Sequence, residues 1–216
     1  MHRPNFTWCL QQPANPPSLA RLRAHNQLLE IDTATLRFDL EETCRFLAQE
    51  NIGGLDPSEI RLLHAKTEGW PAVLRIVAAT LYRPGQEPAR YVRSLSGTLR
   101  PIGAYLAEML DVLPPDMVQF MLRIAILDRF SASLCQAVTG LRSSRRLLNA
   151  METGQILLVP IDQERHWYRY HQLLGGHLRQ RLEAELGDEI PKLHRRAYRW
   201  FPRALDGCGA ARDRGR

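Results

Sequence analysis

The chain has 216 residues, 44% of them hydrophobic and 24% charged, with a net charge of +6. That is the make-up of one large or two small globular domains, and no apolar run approaches the roughly 18 residues of a membrane span. The segment from Arg165 onward holds 12 basic and 6 acidic residues, so the whole surplus sits there. Such asymmetry accompanies either a solvated basic helix face with a basic tail or contact with nucleic acid or an acidic partner.

Residues 1–37 are irregular and punctuated by Pro13, Pro16 and Pro17, with a short strand expected at Leu28-Leu29-Glu30-Ile31. The opening MHRPNFTWCLQQPANPPS has no charged region followed by an apolar core, so it is a poor signal peptide and a cytoplasmic protein is expected. Cys9, Cys44, Cys135 and Cys208 are scattered and form no CxxC pair, which argues against a zinc site or a redox dithiol.

Helical signals begin at Asp39. Asp39 and Glu42 have the spacing of a capping box, and Asp56, Pro57 and Glu59 repeat it with proline at the first helical position. Glu68-Gly69-Trp70-Pro71 breaks one helix and starts another, which carries Val73, Leu74, Ile76, Val77 and Leu81 and ends at Arg83-Pro84-Gly85. Three or four short helices over 38–98 predict a small helical bundle.

A second unit is expected over 99–202. Tyr105, Leu106, Met109 and Leu110 have helical spacing, and Pro114-Pro115-Asp116 restarts the chain into Val118, Phe120, Met121 and Leu122. Ser131 starts a further helix that stops at Gly140, and Leu147, Leu148 and Met151 share one face of the next. The period then changes. Ile156–Ile161 and the alternating His166-Trp167-Tyr168-Arg169-Tyr170 flank a polar turn and predict a β-hairpin. Helical pattern resumes at Leu173 and again from Pro191 through Trp200. Helices, a hairpin and a helix follow one another in the order of a winged helix, with the helix before the hairpin in the recognition position. The expected fold is therefore mainly α: a helical bundle, then a winged helix with one hairpin. After Phe201 the apolar pattern stops. Residues 203–216 are expected to form a disordered basic tail, and the abrupt loss of pattern suggests a frameshift or early stop.

Several stretches, taken in order, resemble one family. They are Leu19-Ala20-Arg21-Leu22-Arg23, Gln27–Ile31, Thr67-Glu68-Gly69-Trp70-Pro71-Ala72, Phe120–Phe130, Leu134–Gly140, Trp167–Leu174 and Leu193–Ala197. Over about residues 19–200 the chain is similar to the MalT-like, LuxR-family, ATP-dependent transcriptional regulators, members of the signal-transduction ATPases with numerous domains. The resemblance implies that 1–37 is the edge of an ATPase domain and 38–98 a lid. It further implies that lid and winged helix close around ADP or ATP, with the ATPase domain or other protomers as partners and DNA bound by a separate C-terminal domain. It assigns nucleotide contacts to Trp70 and Pro71, near the base, and to His171, at the β-phosphate. A proline ring with no N–H can face an adenine and suits the first turn of a helix. An imidazole at a helix N-terminus can donate to phosphate. The residue after His171 is Gln172, where the family has an acid.

The sequence departs from an autonomous ATPase. It contains no GxxxxGK[ST] loop, and Thr7–Gln12 stands where the family has a strand and an arginine. Neither HExxH nor GxSxG occurs. No catalytic residue, no metal and no cofactor bound by the chain alone is expected. The alternative reading is a stand-alone winged-helix DNA binder using Arg142, Arg145 and Arg146. Against it, adjacent Arg145 and Arg146 diverge by about 100° on a helix and make a poor stripe.

Overall fold

From Asp39 to Pro115, the helices of this protein begin where a carboxylate or a proline can start them. In the computed structural model, which describes residues 21, 24–25, 35–82, 85–154 and 158–210 with side chains through Phe201, α1 (Leu40–Gln49) opens on Asp39. The Asp39 carboxylate accepts the Glu42 N–H at 2.7 Å, and Glu42 accepts the Asp39 N–H at 2.9 Å. Asp56 and Glu59 build the same reciprocal cap on α2 (Pro57–Thr67). Each box satisfies amide donors that the first helical turn leaves without partners. Proline stands in the first turn of α2, α3 (Pro71–Leu81), α4 (Pro88–Ser94), α5 (Arg100–Asp111) and α6 (Pro115–Ile124). Its missing N–H costs nothing there and its fixed φ is already helical.

The winged-helix part runs from α6 through α7 (Ala132–Thr139), α8 (Ser144–Thr153), a hairpin and α9 (Gln172–Leu186). Ser131 caps α7, and α8 buries Leu147, Leu148 and Met151 as their spacing predicts. The hairpin pairs β1 (Leu158–Pro160) with β2 (Tyr168–Tyr170), placing Val159 opposite Arg169. Phe130 exchanges both backbone bonds with Tyr168, at 2.8 and 2.9 Å, and so adds a bridge on the other edge. Strand alternation sends Tyr168 and Tyr170 into the core and Arg169 to the opposite side. The mainly helical fold with one hairpin agrees with the sequence pattern.

A short 3-10 turn, Gly187–Glu189, leads into α10 (Ile190–Ala210). This helix differs from expectation: its backbone stays helical to Ala210, past residue 203 where a disordered tail was expected. Pro202, Gly207 and Gly209 weaken the helical signal in sequence, but Ala204, Leu205 and Ala210 are compatible with it. Residues 211–216, the expected strand at 28–31 and most of 1–37 lie outside the described residues.

α10 packs along α7, and Arg196 donates to the Val138 carbonyl at 3.0 Å near the end of α7. A guanidinium there satisfies a terminal carbonyl and opposes the helix dipole. Arg196→Met should cost about 1 kcal/mol in chemical denaturation. No measurable change would show that the bond contributes nothing.

Buried side chains run from Leu47 in α1 and Leu63 in α2 to Phe120, Leu148 and Leu178 in the winged helix as one cluster. The expected boundary at 98/99 is crossed by a close approach. A Cβ on Gly97 would lie 1.9 Å from the Leu173 carbonyl oxygen, so the linker backbone rests directly on α9. α9 also packs on α2 and α5. The helices of 38–98 are thereby held against the first turns of α9, and the candidate site forms there.

Candidate functional site

α2 ends at Thr67, and the chain reverses through two left-handed residues, Glu68 at φ +48° and Gly69 at φ +66°. Trp70 follows, and Pro71 starts α3. The reversal is anchored from outside, where Phe38 N–H donates to the Gly69 carbonyl at 2.8 Å. The turn therefore projects Glu68 and Trp70 toward the start of α9, which lies about a hundred residues further along the chain.

His171 is the N-cap of α9 and is fully buried. Its Nδ1 accepts the Leu173 N–H at 3.3 Å, so the proton rests on Nε2, which donates to the Thr67 carbonyl at 2.9 Å. The Trp70 ring meets His171 edge-on with centroids 5.2 Å apart, and Tyr105 flanks Trp70 at 5.6 Å. Burial holds the His171 imidazole below its ordinary pKa, against the pull of Glu68. The structure thus places Trp70 against His171, while Pro71 follows Trp70 as the first residue of α3. In this conformation both His171 nitrogens are taken by backbone groups.

The residue that ties the site together is one the sequence did not announce. The Glu68 carboxylate receives the Arg169 guanidinium in a two-pronged pair at 2.8 and 3.0 Å. Arg37 donates to it at 2.9 Å and the Gln172 backbone N–H at 3.1 Å. Its side chain is only 13% exposed. Burial pushes its pKa up, but Arg169, His171, the Gln172 N–H and Arg37 together bring it down to about 2. Gln172 completes the seam by reaching the Lys66 carbonyl at 3.4 Å. Three separate segments therefore meet on one carboxylate: the bend before α1, the turn after α2 and the base of the hairpin.

Arg142, Arg145 and Arg146 lie elsewhere. All three are exposed at the start of α8 and have no ion pair among the described residues. α8 does stand in the recognition position. However, α10 delivers Trp200 against Trp167 of the wing, with ring centroids 6.1 Å apart. Trp200 closes one side of a cleft of about 250 Å³ that Ser131, Ser133, Arg145, Asn149 and Trp167 also line. Trp200 therefore narrows the cleft between α8 and the wing, and of the three arginines only Arg145 lines it. Among the described residues no group of His, Cys, Asp and Glu side chains could hold a metal, and no helix is long and apolar enough to cross a membrane.

Comparison with known proteins adds context to this geometry. Residues 106–190 match the MalT winged helix domain family. The chain is 34% identical over 184 residues to the serine/threonine-protein kinase PknK of Mycobacterium tuberculosis, a stretch that covers 85% of this chain and 16% of the kinase. It is 30% identical over 200 residues to the HTH-type transcriptional regulator MalT of Vibrio parahaemolyticus, covering 91% of this chain and 22% of the regulator. With MalT of Vibrio cholerae the identity is 27% over 208 residues, covering 94% and 23%. The chain therefore spans less than a quarter of the length of these relatives.

Proposed function

We propose that this chain, a MalT-like segment whose residues 106–190 are a MalT winged helix domain, is a regulatory module that closes over ADP or ATP held by an ATPase domain and thereby controls self-association. One observation carries the reading. The lid turn at Gly69-Trp70-Pro71 and the N-terminus of α9 at His171, remote in sequence, are assembled into one site. That site presents an apolar ring, a proline and a helix N-terminus together, the elements that suit a base and a phosphate. For His171 to meet a phosphate, its Nε2–H exchanges the Thr67 carbonyl for a phosphate oxygen.

The relatives support a controlling role over a chemical one. A protein kinase and a transcriptional regulator share this segment. The segment is therefore not what sets those two proteins apart, and a module that reports the state of a nucleotide serves either. We read the chain as non-catalytic, cytoplasmic, and partnered by an ATPase domain or by protomers of its own kind.

A second reading, duplex DNA binding through α8, is favoured by the three exposed arginines and opposed by the poor stripe that adjacent Arg145 and Arg146 make on a helix. One experiment addresses both readings. The purified chain is titrated with fluorescent ADP and with a fluorescent random duplex, at low and moderate salt, with anisotropy as readout. ADP binding that is weak, and weaker still in Trp70→Ala, with no duplex binding, is the expected result. Salt-sensitive, sub-micromolar duplex binding would instead make the winged helix a DNA reader.

A further inference from the structure

The Glu68 carboxylate is bound the way proteins bind phosphate. A guanidinium fork, a second guanidinium and the first backbone N–H of a 15-residue helix converge on its two oxygens. Paired guanidiniums and helix N-termini hold oxyanions by charge-assisted hydrogen bonds and by the helix dipole. Here the oxyanion comes from the lid itself. The left-handed conformation of Glu68 and Gly69 is what turns the side chain back into this cradle. While the carboxylate is seated it occupies the point where these donors converge: Oε1 takes Arg169 and Gln172, and Oε2 takes Arg169 and Arg37.

We propose that Glu68 is an internal plug in an oxyanion site formed by Arg37, Arg169 and the Gln172 N–H, and that a phosphate group displaces it when lid and winged helix part. The site is built for a doubly charged oxyanion and is kept closed by a singly charged one. With Glu68 seated, the cradle carries two cationic side chains against one anion. With it withdrawn, two guanidiniums and a positive helix end stand together uncompensated, an arrangement that itself opposes opening. Entry of a phosphate relieves that cost, so the plug couples anion binding to release of the lid turn. This deepens the nucleotide reading above and rests on it only for the source of the phosphate.

The test uses Glu68→Gln in the full 216-residue chain, with inorganic pyrophosphate as probe and ADP as the second arm. Calorimetry should show pyrophosphate binding E68Q at least about tenfold more tightly than wild type, a difference near 1.4 kcal/mol. The double variant E68Q/R169Q should lose that gain, which separates the cradle from the general basic surface. Equal pyrophosphate affinity in wild type and E68Q would overturn the plug. Should E68Q fail to fold, refolding with and without pyrophosphate decides: rescue by the anion supports the proposal, and failure in both conditions overturns it. A gain for pyrophosphate without one for ADP keeps the plug and discards the nucleotide reading. Equal ADP binding by both chains, with no pyrophosphate gain, does the reverse.

Discussion

Gly69→Ala is expected to destabilise the protein by about 3 kcal/mol, among the largest effects of any single methyl group in the chain. Two costs combine. Gly69 sits at φ +66°, where an L side chain costs roughly 1–2 kcal/mol. An added Cβ would also lie 2.0 Å from the Phe38 carbonyl oxygen, and neither backbone can yield without loss. Moving Phe38 away gives up its N–H bond to the Gly69 carbonyl and pulls on Arg37, its neighbour in the chain and a donor to Glu68. The substitution should therefore loosen the lid turn and the Glu68 cradle together. Denaturant unfolding followed by far-UV circular dichroism measures the loss. A change below about 1 kcal/mol would mean that the turn relaxes freely and that its geometry does not hold the site.

The sequence predicts the features whose causes are local. Asp39 with Glu42 and Asp56 with Glu59 mark helix starts because both partners of each capping box lie within one turn. Prolines 57, 71 and 115 do the same through their own φ. Tyr168-Arg169-Tyr170 reads as a strand because side-chain alternation needs only neighbouring residues. Trp70, Pro71 and His171 were assigned by resemblance, and the structure places the rings of Trp70 and His171 in contact. Glu68 stayed hidden for a physical reason. Its partners Arg169 and Arg37 are 101 and 31 residues away, and nothing about an acid at a helix end or an arginine on the outer face of a strand specifies the other. The only hint was the alternation itself, which sends Arg169 out of the core on the side opposite the two tyrosines. The extension of α10 was missed for the opposite reason. Pro202 and the glycines are real local signals against a helix, and the backbone continues through them.

Acid should destabilise the fold in two separable steps, and Glu68→Ala should reduce the lower one. Glu68 faces Arg169 from β2, Arg37 from the segment before α1, and the Gln172 N–H and His171 from α9. These hold its pKa at about 2, below the ordinary 4.5. A carboxylate with a depressed folded pKa stabilises fully above its unfolded value, so this contribution is complete above pH 4.5 and is lost as pH falls from there toward 2. Allowing for the solvent that reaches Arg169, it amounts to about 2 kcal/mol. His171 acts in a higher window. It faces Glu68, Arg37 and Arg169 as well as the Thr67 carbonyl, and burial dominates, so its pKa lies below the ordinary 6.5. The unfolded chain thus takes up the proton first, and stability falls as pH drops below 6.5. Denaturation at intervals between pH 8 and 3 should show both slopes in the wild type. In Glu68→Ala the curve should start about 2 kcal/mol lower at pH 7 and fall less steeply below pH 4.5, where Asp56, Asp162 and Glu189, also held below their ordinary pKa, still contribute, while the step below 6.5 remains. Arg169→Ala should reproduce most of that loss, and the double variant should cost much less than the sum, because each single change strands a partner that the other removes. Strict additivity of the two losses would show that the turn after α2 and the hairpin are not held together through this pair.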